Sequence, residues 1–126
     1  IVLNGGIKTI AEAKGETRGL DGVMLGRAAY HDPWILREID EVFYGESAFA
    51  ATREDIVEDL ISYAARKQGE DRSTKALIRH IMGLYAGRPG ARLWRRTLSE
   101  AMASGASPSK VIRMGAEAMA QLTLAA

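Results

Sequence analysis

Two short stretches carry the groups best suited to chemistry, Val2-Leu3-Asn4-Gly5-Gly6 and Val23-Met24-Leu25-Gly26-Arg27. Each is an apolar run that stops at glycine, which lets the backbone turn sharply and pass close to a ligand. Backbone N–H groups at such turns, with an arginine beside them, suit an anion and a phosphate above all. Packing explains poorly an arginine placed directly after a strand-ending glycine, so Arg27 reads as a phosphate contact. Asn4 offers an amide that serves either its own turn or a ring edge or phosphate, and the residues alone leave both open.

These turns need elements to hold them. The stretch Thr9 to Lys14 has room for a short helix, so the first segment reads strand, turn, helix, strand, turn, helix. A parallel strand pair needs neighbours at its edges and helices on its faces. Two successive phosphate-binding turns at strand ends are what the last two units of a (β/α)8 barrel provide. The chain opens at Ile1 inside a strand, without an initiator methionine, so it is expected to be the C-terminal piece of a longer protein. In His31-Asp32-Pro33-Trp34, Asp32 suits a helix cap, Pro33 a first turn and Trp34 packing against the barrel rim.

Composition narrows the function classes. The chain has 126 residues, of which 47% are hydrophobic, and no run approaches the length of a membrane span. Its lack of cysteine excludes disulfides and thiolate chemistry within the chain and fits a cytoplasmic protein. The two histidines, His31 and His80, stand far apart without clustered carboxylates, so no metal site is expected.

The net charge of +1 hides a segregation. Residues 1–70 carry eight Lys or Arg against thirteen Asp or Glu, whereas residues 71–126 carry nine against three. From Arg72 to Arg96 there are seven basic residues and no acid, which points to a polyanionic partner. This half reads as helices. Thr52-Arg53-Glu54-Asp55 is a capped helix start, followed by Ile56, Val57, Leu60, Ile61 and Ala64 at helical spacing, with Gly69 at the exit. A second helix is expected from about Ser73 to Ala86, then a turn at Gly87-Arg88-Pro89-Gly90. A third runs from Ala91 to Ala103, burying Leu93, Trp94, Leu98 and Met102. A fourth opens with Ser107-Pro108 and continues to about Leu122. Short turns make an antiparallel four-helix bundle the natural packing.

Arg92, Arg95, Arg96 and Ser99 fall at i, i+3, i+4 and i+7 and share one helix face. Lys75, Arg79 and Met82 follow a similar stripe, and antiparallel packing joins both stripes into one positive surface. Arginine outnumbers lysine here, and its planar fork suits phosphates and base edges. A nucleic acid is the favoured partner; a merely solvated face is the alternative. His80 reads as structural or RNA-contacting.

The residues also carry a resemblance. Asn4-Gly5-Gly6-Ile7, then Asp21-Gly22-Val23-Met24-Leu25-Gly26-Arg27-Ala28-Ala29-Tyr30 and Pro33-Trp34, resemble the end of the tRNA-dihydrouridine synthase barrel. Arg79-His80-Ile81-Met82-Gly83-Leu84-Tyr85 and Gly87-Arg88-Pro89-Gly90-Ala91-Arg92-Leu93-Trp94-Arg95-Arg96 are similar to the family's C-terminal helical domain, and most to its A-type bacterial subgroup. The barrel turns are shared with other flavin and phosphate-binding barrels; the helical motif is the more specific.

The resemblance implies an α/β then all-α chain, with residues 1–44 the incomplete end of an FMN-binding TIM barrel and 45–126 a helical tRNA-binding domain. It implies an oxidoreductase that reduces the C5–C6 double bond of uridines in tRNA with FMN and NADPH, a hydride going to C6 and an active-site cysteine protonating C5. By position, Asn4, Gly5 and Gly6 would bind FMN from the seventh strand, and Gly26 and Arg27 would hold its phosphate from the eighth. Arg92 and Arg95, then Arg79, Arg96 and Lys75, would grip tRNA. The family's catalytic cysteine lies upstream, so no catalytic residue is assigned here and this piece alone is expected to be inactive. The intact enzyme is expected to be a cytoplasmic monomer without metal. Two alternatives stand beside this reading: a phosphate-binding barrel flavoenzyme acting on a small metabolite, and a non-catalytic helical RNA-binding module.

Overall fold

The computed structural model describes residues 1–67 and 71–125, the side chains of 71–75 excepted. The chain forms two compact units, Ile1–Ala50 and Ala51–Ala126, a division that falls later than residue 44. The first is α/β and the second all-α.

In the first unit, β1 (Val2–Asn4) and β2 (Gly22–Met24) pair in parallel, with Leu3 opposite Val23 and Asn4 opposite Met24. Between them runs α1 (Ile10–Glu16). Its start is set by Thr9, whose Oγ1 accepts the Glu12 N–H at 3.1 Å. The Glu12 carboxylate in turn accepts the Lys8 N–H at 2.9 Å, so two otherwise orphaned backbone donors are satisfied. Ile7, Ile10 and Ala13 are the buried residues that seat this helix. The Asp21 N–H donates to the Ile1 carbonyl at 3.0 Å and extends the strand pairing by one residue. After β2 the chain enters α2 (Arg27–His31), a 3₁₀ helix (Pro33–Glu38) and α3 (Ile39–Tyr44).

Asp32 stands at the start of the 3₁₀ helix, as its type suggests, but its side chain makes no capping bond. Pro33 does occupy the first turn. Trp34 is half-buried, edge-on to Phe49 with centroids 6.0 Å apart and covered by the Arg37 guanidinium at 5.1 Å. Gly45 ends α3 in the left-handed region, its N–H bonded to the Glu41 carbonyl.

The second unit is built from α4 (Arg53–Arg66), α5 (Asp71–His80), α6 (Ala91–Ala103) and α7 (Pro108–Ala125). Thr52 and Asp55 form a reciprocal capping box at the start of α4. The Asp55 N–H donates to Thr52 Oγ1 at 3.1 Å, and the Thr52 N–H donates to Asp55 Oδ2 at 2.8 Å. These bonds, that to the Thr52 backbone first, hold the Asp55 carboxyl below its ordinary value. Gly69, the expected exit of this helix, lies outside the described residues.

All three other helices pack on α7. The shared core contains Val57, Ile61, Ile78, Ile81, Leu84, Trp94, Leu98, Val111 and Ile112, with Leu77, Met82 and Met102 partly buried against it. Each fully buried aliphatic side chain contributes about 1.5–3 kcal/mol relative to exposure. Leu93, expected inside, is only half-buried.

One element differs in extent. The helix expected to reach Ala86 ends at His80, and residues 81–87 form successive turns. The Leu84, Ala86 and Arg88 N–H groups donate three residues back, to Ile81, Gly83 and Tyr85. Long-range donors take carbonyls of this segment: Trp94 Nε1–H reaches Ile81 at 3.0 Å and Arg53 Nε–H reaches Leu84 at 2.9 Å. Tertiary bonds thus replace helical ones.

Candidate functional site

The turn after β1 and the turn after β2 both open onto one cavity of about 490 Å³. Asn4, Gly5, Gly6, Gly26 and Arg27, the five residues singled out in this half, all line it. Parallel pairing explains the convergence: strands in register bring their C-terminal ends, and hence their loops, to the same side.

The glycines serve in different ways. Gly5 and Gly6 have φ of 104° and 79°, in the region that side chains rarely adopt. A Cβ on either would meet no protein atom within 4 Å, so space remains open above both. Gly26 has φ of −106°, and a Cβ there would make ordinary contact with Met24 Sδ at 3.5 Å. Its value is therefore a bare surface beside the cavity rather than a backbone shape only glycine can take.

Lys8 and His31, neither of them among the residues expected here, also line the cavity. Lys8 is a basic residue on the same loop as Gly5 and Gly6, which is the signal that could have found it. In the sequence His31 stands only as part of a helix start. The ionisable lining side chains are Lys8, Arg27 and His31, and no carboxylate is among the lining residues. Peptide N–H groups, a primary amide and uncompensated cations suit a phosphate ester.

In the second unit, Arg92, Arg95, Arg96 and Ser99 are all exposed along α6, while Trp94, Leu98 and Ala101 are buried on its other face. Arg96 Nε lies 3.9 Å from Glu100 Oε1; Arg92 and Arg95 have no ion pair among the described residues. Arg79 and His80 are exposed in the last turn of α5, and Arg88 is exposed in the turn before α6. The Lys75 side chain lies outside the described residues. Among the described residues, α5 and α6 meet on α7 rather than along a broad seam of their own, so the single surface expected from antiparallel α5–α6 packing lacks that basis.

The orientation of this arginine face is set from beneath. The Trp94 indole is fully buried, bonded to Ile81 and packed at 4.9 Å between centroids against Tyr85. Arg53 lies over the far part of that assembly, 6.0 Å from the Tyr85 ring. Burial raises the Tyr85 hydroxyl above its ordinary pKa, the Glu54 charge adds to this, and Arg53 opposes it. Gly90, with φ of 89°, begins α6 where a Cβ would come within 2.6 Å of Leu122 Cδ2. The helix carrying the arginines is thus anchored at its first turn.

Among the described residues, no three His, Cys, Asp or Glu gather as a metal site, and no helix is long and apolar enough to cross a membrane.

Comparison with known proteins matches residues 1–121 to a family described as Dihydrouridine synthase (Dus). A tRNA-dihydrouridine(20/20a) synthase of Vibrio parahaemolyticus is 40% identical over 100 residues, covering 79% of this chain and 31% of that protein. The protein of the same name from Pseudomonas aeruginosa is 39% identical over 120 residues, 95% of this chain and 36% of the relative. That from Escherichia coli is 42% identical over 98 residues, 78% of this chain and 30% of the relative. The chain spans about a third of the length of these relatives.

Proposed function

Because this chain belongs to the dihydrouridine synthase family, we propose that it supplies the flavin-phosphate cradle and the tRNA-gripping helices of a tRNA-dihydrouridine synthase. In this reading β1 and β2 are the last two strands of a (β/α)8 barrel, and the helical unit of α4 to α7 is its RNA-binding bundle. The substrate is tRNA, at the uridines named for its relatives, and the cofactors are FMN and NADPH. When bound, the flavin would supply the hydride taken up at C6 of the uracil, and a proton added at C5 would complete the saturation of that bond.

The cavity's donor set fits the phosphate end of FMN. Gly5 and Gly6 leave open space where any side chain would stand, and Arg27 brings a fixed positive charge that no lining carboxylate cancels. Asn4 presents an amide at the same wall, able to orient the group by donating or accepting. These residues bind and orient; the protein's part in flavin chemistry is positioning and electrostatics.

The helical unit's part is to hold the RNA. A base reduced at C5–C6 must leave its stack to meet the cofactor, and that demands a grip on the flanking backbone. Arg92 and Arg95 are the first choices, with Arg79, Arg96 and Lys75 supporting them. The family match spans both units, whereas neither a metabolite enzyme nor a free-standing RNA module accounts for both.

The observation that carries this reading is the convergence of Asn4, Gly5, Gly6, Gly26 and Arg27 on one cavity. Titration of the chain with FMN and with riboflavin, followed through the amide resonances of Gly5, Gly6 and Gly26, tests it. FMN is expected to bind more tightly, and Arg27→Ala to weaken it by about tenfold or more, the worth of a charge-assisted hydrogen bond. Equal binding of the two flavins, unaffected by Arg27→Ala, would contradict it.

A further inference from the structure

We propose that Lys8 is a second phosphate-anchoring residue of the cavity, holding the anion from the β1–α1 loop while Arg27 holds it from the β2–α2 loop. The inference rests on the phosphate reading of this cavity and goes beyond it by assigning a residue that neither the sequence motif nor the match supplies.

Three observations carry it. First, Lys8 lines the same cavity as Arg27 but belongs to a different loop, so the two cations approach a ligand from separate elements. Second, its backbone is fixed on both sides. Ile7 before it is 8% exposed, Thr9 after it caps α1, and the Lys8 N–H itself is taken by Glu12 Oε2 at 2.9 Å. The Lys8 backbone is therefore held in place, and the residue is exposed where it lines the cavity. Third, Lys8 and Arg27 form no ion pair among the described residues, and no carboxylate lines the wall. Glu12 engages the Lys8 backbone, not its ammonium.

Charge balance gives the reason for two anchors. A phosphate monoester carries about −1.5 to −2 at neutral pH, so one guanidinium leaves part of that charge uncompensated. An ammonium is a mobile point charge with three donors and completes the balance without a fixed fork geometry. The cavity so built selects a dianionic ester over a neutral ligand of the same shape.

The test is a titration of the whole 126-residue chain with inorganic phosphate at low ionic strength, read at the Gly5, Gly6 and Gly26 amides. Lys8→Gln is expected to raise Kd about fivefold, and Lys8→Arg to restore it. Lys14→Gln removes an equal charge from α1, where Lys14 lies over the Phe43 ring and outside the cavity, and is expected to leave Kd unchanged. Unaltered binding by Lys8→Gln, with binding lost in Arg27→Ala, would overturn the role of Lys8 and leave the phosphate site standing. Equal weakening by Lys8→Gln and Lys14→Gln would reduce the effect to bulk charge and overturn it as well. If phosphate shifts none of these amides in the parent chain, the phosphate reading itself fails, and this inference with it.

Discussion

Trp94 and Gly115 fit against each other so closely that a Cβ on Gly115 would come within 2.8 Å of the indole Cζ3. The same Cβ would lie 3.0 Å from Leu98 Cδ2, so α6 and α7 meet here with no space for a methyl group. The contact places the exposed arginines of α6 relative to the rest of the unit.

Gly115→Ala is therefore expected to destabilise the chain by about 1–2 kcal/mol, although alanine favours a helix by about 1 kcal/mol over glycine. The indole cannot swing aside, because its N–H is bonded to Ile81. Urea unfolding followed by tryptophan fluorescence checks this. A stabilised variant would show that the seam yields.

Trp94→Phe keeps most of the ring packing but leaves the buried Ile81 carbonyl with only its turn partner, the Leu84 N–H. A loss of about 2–3 kcal/mol is expected, from the missing hydrogen bond and the smaller ring together. Hydrogen exchange should rise first in residues 81–87, whose turns that bond secures. Uniform exchange throughout the unit would argue that the segment is held by something else.

The capping box of α4 gives a pH dependence. Asp55 has its carboxyl lowered from 3.8 by bonds from Thr52, so its contribution is present above 3.8 and lost as pH falls through the folded value. The stability difference between the parent chain and Asp55→Asn should therefore shrink with acidification below 3.8 and be constant near neutrality. A difference that persists in acid would contradict the cap assignment.

Glu100 lies 3.9 Å from Arg96 on an otherwise positive face. An exposed pair of this kind is worth about 0.2–1 kcal/mol at most, so Glu100→Gln should barely alter stability. If this face holds RNA as proposed, the variant should bind RNA about twofold more tightly at low salt, since one repulsive charge is removed. Weaker RNA binding by this variant would place the RNA elsewhere.

Much of this was legible in the sequence, because local rules and tertiary packing agree along most of the chain. The bounds Ala91 and Ala103 of α6 follow from Gly90 before it, Ser104-Gly105 after it, and an apolar stripe through Trp94 and Leu98. Gly5 and Gly6 are legible because glycine after an apolar run reports a turn with open space, and Asn4, Gly26 and Arg27 because they stand at the ends of such runs. The segment 81–87 misled for a physical reason. Ile81, Leu84 and Tyr85 are spaced as on a helix face and are indeed buried, but Trp94 and Arg53 capture carbonyls from distant positions. Such long-range donors leave no trace in local periodicity. The place of His31 on the cavity wall depends on the register of β1 against β2, which composition does not encode, whereas Lys8 shares the loop of Gly5 and Gly6 and was within reach of the sequence.

The most direct test of the central claim is binding of this chain to unmodified tRNA at two salt concentrations, beside an Arg92→Ala/Arg95→Ala double variant. Affinity is expected to fall steeply with salt in the parent chain, with the salt slope reduced by about two in the variant and its folding unchanged. Salt-independent binding, or a folded variant that binds tRNA as tightly as the parent, would contradict it.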